Sequence, residues 1–416
     1  MIKNKLIFND ATDWMFDLEK AEGSYIWTKD GKKLIDFTSS WNVTNLGWNH
    51  PEITQAIIEQ AKKNTHNVLW ANDDIQIAYA KQLTEALPHK LGTIARATGG
   101  TEANEEALKT ARAFTHRKKI VGYKDTYHGQ SFGAMSIGYR PEYTTDIAPL
   151  VPDFVQIDFP TISKTNRTPE QILQEFAVTL EAILAKEDVA AVVTEAGIIT
   201  GWGSTAIAPK GYLKLVRELT QKYGTLMILD EVGTGFSRLG KLFGMEIEGI
   251  VPDIVTFAKG LSNGQGALGA MATSMEIAEE TNGKTNLTST FGWNPVAVAA
   301  ASKTLEIHLR DKVWEKAKEC GVYLLNTLKE QLSTHPKVGE IKGIGMEIGL
   351  EIIKDKSSYE QDPQGAKALV AQAFEQGLHL VVGDGGNIQL MPPLTIDLET
   401  LDRGVEILIH STNSLR

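Results

Sequence analysis

Six short apolar runs, TIARAT, KIVGY, AAVVTEA, TLMILDE, DIVTFA and GAMAT, punctuate the chain between residues 93 and 273, with helical or loop segments between them. Runs that are apolar at nearly every position have no face to offer to water, so each strand must be covered on both sides. Strands of that kind alternating with helices predict a mostly parallel sheet held between two helical layers, the architecture of an α/β domain. Before this region, PEITQAIIEQAKKNTH sets Ile53, Ile57, Ile58 and Ala61 at helical spacing after Pro51, and IAYAKQLTEAL continues as a second amphipathic helix. YIWTKDGKKLIDFTSS alternates around a DGK turn and reads as short strands.

After about residue 308 the pattern changes to helices, then the short strands of IGMEIGLEII, a helix from Gly365 to Gln376 and the strand-like NIQLMPP. This predicts three parts: residues 1–50 as an amino-terminal arm with part of a small domain, 51–308 as a large domain, and 309–416 as a carboxyl-terminal small domain.

Two of the apolar runs end on ionisable residues. TLMILDEVGTG carries Asp230 and TFAKG carries Lys259 at the carboxyl end of its strand, the end at which open α/β sheets bind ligands. A lysine following VPDIVTFA is desolvated, which favours its neutral, imine-forming amine, and the glycines of GLSNGQGALGA let backbone approach a ligand closely. A lysine able to form a Schiff base and a buried aspartate able to keep a pyridine nitrogen protonated point to pyridoxal phosphate (PLP). Taken singly, each residue has a plainer role, as a solvated lysine or a turn-opening acid.

ATGGTEANEEALKTARAF passes from a strand through Gly99, Gly100 and Thr101 into a helix, where first-turn N–H groups and a hydroxyl can cradle a phosphate. The plainer alternative is an ordinary helix cap formed by Thr101 with Glu105 nearby. DTYHGQS sets Tyr127 and His128 after the strand KIVGY, where an aromatic ring could stack on a flat heterocycle, and NLTSTFGWNP offers Ser289 and Thr290 as hydroxyl donors.

The remaining composition excludes other classes. With 42 basic and 52 acidic residues the net charge is −10 without a basic stripe, which disfavours nucleic acid. The single cysteine, Cys320, leaves no disulfide framework and fits a reducing cytoplasm; no apolar stretch approaches a membrane span. No GxGxxG follows the first strand with an acidic residue about 20 positions on, so dinucleotide binding has little support.

SSWNVTNLGWNHPEI, GGTEANEEALKTAR, YHGQS, the Glu195 segment, LDEVGTGFSRLGKLF, PDIVTFAKGLSNGQGALGA, STFGWNP and MPPL occur in one order across most of the chain. That order resembles the class III (ω-amino acid) aminotransferases of the fold type I PLP enzymes. The resemblance implies a large domain with a mixed, mostly parallel sheet between helices and a smaller α/β domain. It implies a homodimer with shared active sites and a ping-pong exchange of an amino group between a donor and an oxo acid or aldehyde. It gives Lys259 as the Schiff-base lysine and proton carrier and Asp230 as the partner of the pyridinium nitrogen. Tyr127 and Val232 would cover the two ring faces, and His128 and Glu195 fall in the cofactor segments. Gly100 and Thr101 would hold the phosphate, with Thr290 reaching in from the partner subunit.

The departures from the pattern bear on substrate. Gln389 stands two residues ahead of MPPL, where many relatives have a carboxylate-binding arginine, and Gln130 stands where acetylornithine-type relatives have another. Glutamine cannot supply the charged bidentate fork, which puts α-ketoglutarate and glutamate recognition in question. Arg140 and Arg238 are left without an assigned role. TEAGIITG departs from the family's Glu-Pro segment, which leaves the role of Glu195 open. Gly233 stands where relatives often bond the cofactor's phenolic oxygen. Trp41 and Trp70 suggest an apolar or amine-bearing substrate, though tryptophan commonly serves only to pack. The alternative function is a PLP-dependent racemase or epimerase of the same family, which returns the proton to the substrate carbon.

Overall fold

The computed structural model describes residues 16–67, 70–163 and 165–415. Its centre is a seven-stranded sheet in the order Thr93–Ala97, Gly269–Thr273, Ile254–Phe257, Leu226–Asp230, Val189–Glu195, Lys119–Tyr123 and Phe154–Ile157. The six expected strands are all in it. The seventh, Phe154–Ile157, was not expected: FVQI is a four-residue edge strand, half-buried at three positions, and lacks the continuous apolar run of its neighbours. Gly269–Thr273 runs antiparallel to both of its neighbours, and the other adjacent pairs are parallel.

All seven residues of Val189–Glu195 and all five of Leu226–Asp230 are buried, as expected for strands covered on both faces. On one face Tyr79, Tyr123, Tyr212, Phe257 and Trp293 join an extended apolar core, while on the other Ala107 and Ala111 of the Gly100–Thr115 helix pack with Ile120, Ile228 and Met271.

A second core gathers Phe37, Leu324, Leu328, Ile348, Leu350, Leu390 and Leu408 from both ends of the chain. It carries the antiparallel strands Val338–Ile344, Glu347–Ile352 and Asn387–Leu390, with the helices Val313–Leu332 and Leu398–Asn413. The amino-terminal strand Lys33–Asp36 pairs in parallel with Leu378–His379, so the first described strands are tied to the last quarter of the chain. Of the arm expected within residues 1–50, the first fifteen residues lie outside the described residues.

Directly after Lys33–Asp36 the chain makes a left-handed turn, with φ of 42°, 51°, 60° and 63° at Ser39, Ser40, Trp41 and Asn42. Four successive non-glycine residues in this region cost about 1–2 kcal/mol each, so the turn needs outside support. Asp36 Oδ1 accepts from the N–H and hydroxyl of Thr38, and the Trp41 and Asn42 side chains donate to partners on the distant strands Asn387–Leu390 and Glu347–Ile352.

Candidate active site

Three adjacent strands end in one row. Sheet register sets Asp230 opposite Glu195 on one side and opposite Thr256 on the other, so three polar side chains emerge together at the carboxyl edge. Beyond them Lys259 begins the short helical turn Lys259–Ser262 with φ of 49°, a left-handed conformation that a lysine holds only at a cost of about 1–3 kcal/mol. Opposite this edge stands the amino-terminal end of the helix Gly100–Thr115, whose first-turn N–H groups have no partner within the helix.

These elements enclose a cavity of about 200 Å³ lined by Gly100, Thr101, Asn104, Tyr127, His128 and Gly129 on one side. Glu195, Thr200, Gly201, Asp230, Val232, Gly233, Ala258 and Lys259 line the other. Thr101 lies inside the first helical turn and is not the cap. The N-cap position is Gly99, and Glu105 instead bonds the Ser131 hydroxyl and the N–H of Ala134. Gly100 is closely packed: a Cβ there would sit 3.0 Å from both methyl groups of Val232, so the valine would have to give way.

Asp230 is fixed from three directions. His128 Nδ1 lies 2.7 Å from Oδ2, Asn104 Nδ2 donates to the same oxygen at 2.8 Å, and the N–H of Val232 donates to Oδ1 at 2.9 Å. Burial alone would raise the carboxyl pKa, but these bonds and the His128 charge outweigh it and hold Asp230 below its usual value. Burial likewise opposes charge on His128, yet Asp230 raises the imidazole pKa above its usual value. Asn104 also donates to the His128 carbonyl at 2.8 Å and accepts from Thr256 Oγ1 at 2.7 Å, so it locks helix, loop and strand together.

Lys259 is half-buried. Desolvation lowers its pKa, against the opposing charges of Glu195, Asp230 and Glu347. Desolvation pushes Glu195 up to about 7, with the Asp230 charge adding to the rise. Its Oε2 accepts from the N–H of Thr200 at 2.9 Å and from the Thr200 hydroxyl at 2.6 Å.

The other expected residues are not part of the lining of this cavity. Gln389 is buried and accepts from Trp41 Nε1 at 2.9 Å. Trp41 itself is half-buried. Thr290 is exposed and does not line the cavity, and Trp70 is 87% exposed. Arg238 is buried with its guanidinium on the carbonyls of Met346 and Pro392 and on Asn45 Oδ1, a structural placement. Arg140 stacks over Trp202 at 5.5 Å, with Asp125 at 3.8 Å and Glu142 at 3.9 Å.

Sequence reasoning missed Asn104, Thr200 and Glu347. Only Asn104 carried a signal, since it falls one turn after Gly100 on the same helix face. A Cβ at Gly233 would lie 2.3 Å from Thr200 Oγ1, so the threonine hydroxyl occupies the space a side chain at residue 233 would need.

The sequence pattern of the aminotransferase class-III family matches residues 7–411. The chain belongs to the class III aminotransferases. It is 31% identical over 416 residues to an acetylornithine aminotransferase of Methanothermobacter thermautotrophicus, covering all of this chain and 98% of that protein. It is 30% identical over 394 residues to a leucine/methionine racemase of Thermococcus litoralis, covering 93% and 88% of the two chains. Among solved structures, an (S)-enantioselective omega-transaminase from Thermomicrobium roseum superposes with a TM-score of 0.91 at 32% identity, covering 97% of this chain and 93% of the other. The fold is therefore that of the fold type I PLP transaminases, and the family function is PLP-dependent transamination.

The residues of this class III aminotransferase fit that cofactor. The cavity joins an amine whose pKa desolvation lowers, an ionised aspartate and a glycine-led helix start. Nε2 of His128 and Oε1 of Glu195 are buried there without a protein partner. Among the described residues no helix is long and apolar enough to cross a membrane.

Proposed function

We propose that this chain holds pyridoxal 5′-phosphate on Lys259 and moves an amino group from an amine, ω-amino acid or amino acid donor to an oxo acid or aldehyde by ping-pong turnover. The observation that carries the reading is the joint setting, in one cavity, of a lysine whose pKa desolvation lowers and an aspartate held ionised. When bound, the cofactor supplies an aldehyde for the amino group and an electron-poor ring that stabilises negative charge on the reacting carbon.

Asp230 keeps the pyridine nitrogen protonated, and His128 with Asn104 keeps Asp230 ionised and aimed. Lys259 Nζ would take and return the proton of the reacting carbon, a task that suits an amine whose pKa desolvation has lowered. Gly100 and Thr101 take the phosphate at the helix start, where N–H groups and the helix dipole favour an anion. Tyr127 and Val232 cover the two ring faces, and Glu195 with Thr200 borders the substrate side. Trp41 and Gln389 bound the substrate pocket, and Trp70 contributes across a subunit boundary.

The enzyme works as a homodimer in the cytoplasm, with Thr290 of one subunit completing the phosphate site of its partner. Exposed Thr290, Phe291 and Trp70 support such a face, and a lone cysteine suits a reducing compartment. We divide the chain at residues 50 and 308 into arm, large and small domains, with the two apolar cores as support.

The test is the visible spectrum of the protein with added pyridoxal phosphate, followed by donor without acceptor. Loss of the bound band with formation of pyridoxamine phosphate is the expected result, and Lys259→Ala should have neither the band nor turnover. An unchanged band in that variant would refute the assignment. The racemase relative motivates the alternative, for which the band would persist while a chiral amino acid loses optical purity.

A further inference from the structure

Glu347 is the buried polar group of the site region that neither the cofactor reading nor the sequence accounts for. It opens the strand Glu347–Ile352, has no exposed surface, and stands beside the strand Asn387–Leu390. Its Oε2 accepts from Asn42 Nδ2 at 2.8 Å, and its Oε1 accepts from Gln389 Nε2. Gln389 Nε2 also donates to the carbonyl of Thr200 at 3.2 Å, while Gln389 Oε1 accepts from Trp41 Nε1. A primary amide has two N–H donors, and both are taken by protein acceptors. Gln389 therefore has no donor left for a substrate carboxylate.

The charge around this amide is also set. Glu347, Glu195 and Asp230 all act electrostatically on Lys259. Burial raises the Glu347 carboxyl pKa, against which Arg238, the bonds from Asn42 and Gln389, and Lys259 favour its ionised form; the two Nη atoms of Arg238 are themselves committed to Met346 O, Pro392 O and Asn45 Oδ1. Replacing the Glu347 carboxylate by an amide would leave one acceptor oxygen where Asn42 and Gln389 now have two, and would leave Asp36 as the remaining counter-charge of Arg238; both changes favour an incoming carboxylate.

We infer that Glu347 is a specificity-determining residue: it withholds Gln389 from substrate and opposes a second carboxylate, so that the site takes donors and acceptors with at most one carboxylate. The inference rests on the transaminase reading above.

Its test compares pyruvate, 2-oxoglutarate and a simple aldehyde as acceptors in the wild-type holoenzyme, Glu347→Gln and Glu347→Asp, with calorimetric binding of glutarate as a non-reacting dicarboxylate. Wild type should prefer pyruvate over 2-oxoglutarate by about tenfold or more in kcat/KM. Glu347→Gln should narrow that ratio and tighten glutarate by about tenfold each, as expected for loss of one buried like charge. Glu347→Asp, which keeps the charge, should retain the discrimination. Gln389→Arg, an independent variant, should leave 2-oxoglutarate poor because Glu347 takes the new guanidinium.

Equal changes for all acceptors in both Glu347 variants, or glutarate affinity unmoved in Glu347→Gln, would overturn the inference while leaving transamination intact. Efficient use of 2-oxoglutarate by wild type or by Gln389→Arg would do the same. Wild type that forms no pyridoxamine phosphate with any donor overturns the transaminase reading and the inference together.

Discussion

His128 Nδ1 stands 2.7 Å from Asp230 Oδ2 with both side chains almost fully buried. The imidazole raises its own proton affinity through the carboxylate and lowers that of the carboxylate in return, against the desolvation that acts on both. A buried acid that stays ionised in this way can hold the charge of a protonated pyridine.

Asp230→Asn keeps the shape and the Asn104 contact region but removes the charge. Single-turnover rates with an amino donor should fall by about a hundredfold or more, the scale seen when a preorganised electrostatic stabiliser is lost. A rate within a few-fold of wild type would mean that the ring charge is held elsewhere.

Asn104→Ala removes the bonds to Asp230, His128 O and Thr256 together. It leaves buried polar groups unpaired, which costs about 1–3 kcal/mol for each such group. Both the thermal midpoint and the single-turnover rate should drop. A loss of stability with full activity would make Asn104 purely structural.

Gly233→Ala places a Cβ 2.3 Å from Thr200 Oγ1, so Thr200 must move and its bond to Glu195 must loosen. Overpacking of this kind costs about 1–3 kcal/mol. Thermal melts of the apoprotein should show destabilisation, and Gly233→Ala in a Thr200→Ser background should not relieve it, because the hydroxyl remains. Relief by Thr200→Ala would identify that hydroxyl as the clashing group.

Glu106 is a buried acid whose pKa burial pushes up to about 8, helped by the neighbouring Glu102 charge, and its Oε2 has no partner. The native state therefore binds a proton that the unfolded chain has already released between the unfolded value of 4.5 and about 8. The stabilisation is fully present below 4.5 and is lost as pH rises through about 8. Glu106→Gln should raise the apoprotein melting temperature at pH 8 by about 2 °C or more and change it less at pH 5. Equal shifts at both pH values would exclude titration of Glu106 as the cause.

The apolar runs determined six strands of the central sheet, with Asp230 at the end of one and Lys259 two residues beyond another, because a strand buried on both faces announces itself locally and its end is known once the run stops. Gly99, Gly100 and Thr101 were legible for a similar reason: a glycine-led helix start is a local pattern. Phe154–Ile157 was not, since a half-buried edge strand of four residues has no periodicity to detect.

The partners were decided only by tertiary structure. Trp41 meets Gln389 across 348 sequence positions, Asn42 meets Glu347 across 305, and Asn104 meets Asp230 across 126. A glutamine reads from sequence as a donor free for substrate, and its fold-imposed acceptors take that freedom away. The left-handed turn from Ser39 to Asn42 has the same origin, because only contacts made after the chain ends converge can hold a conformation that local preference opposes.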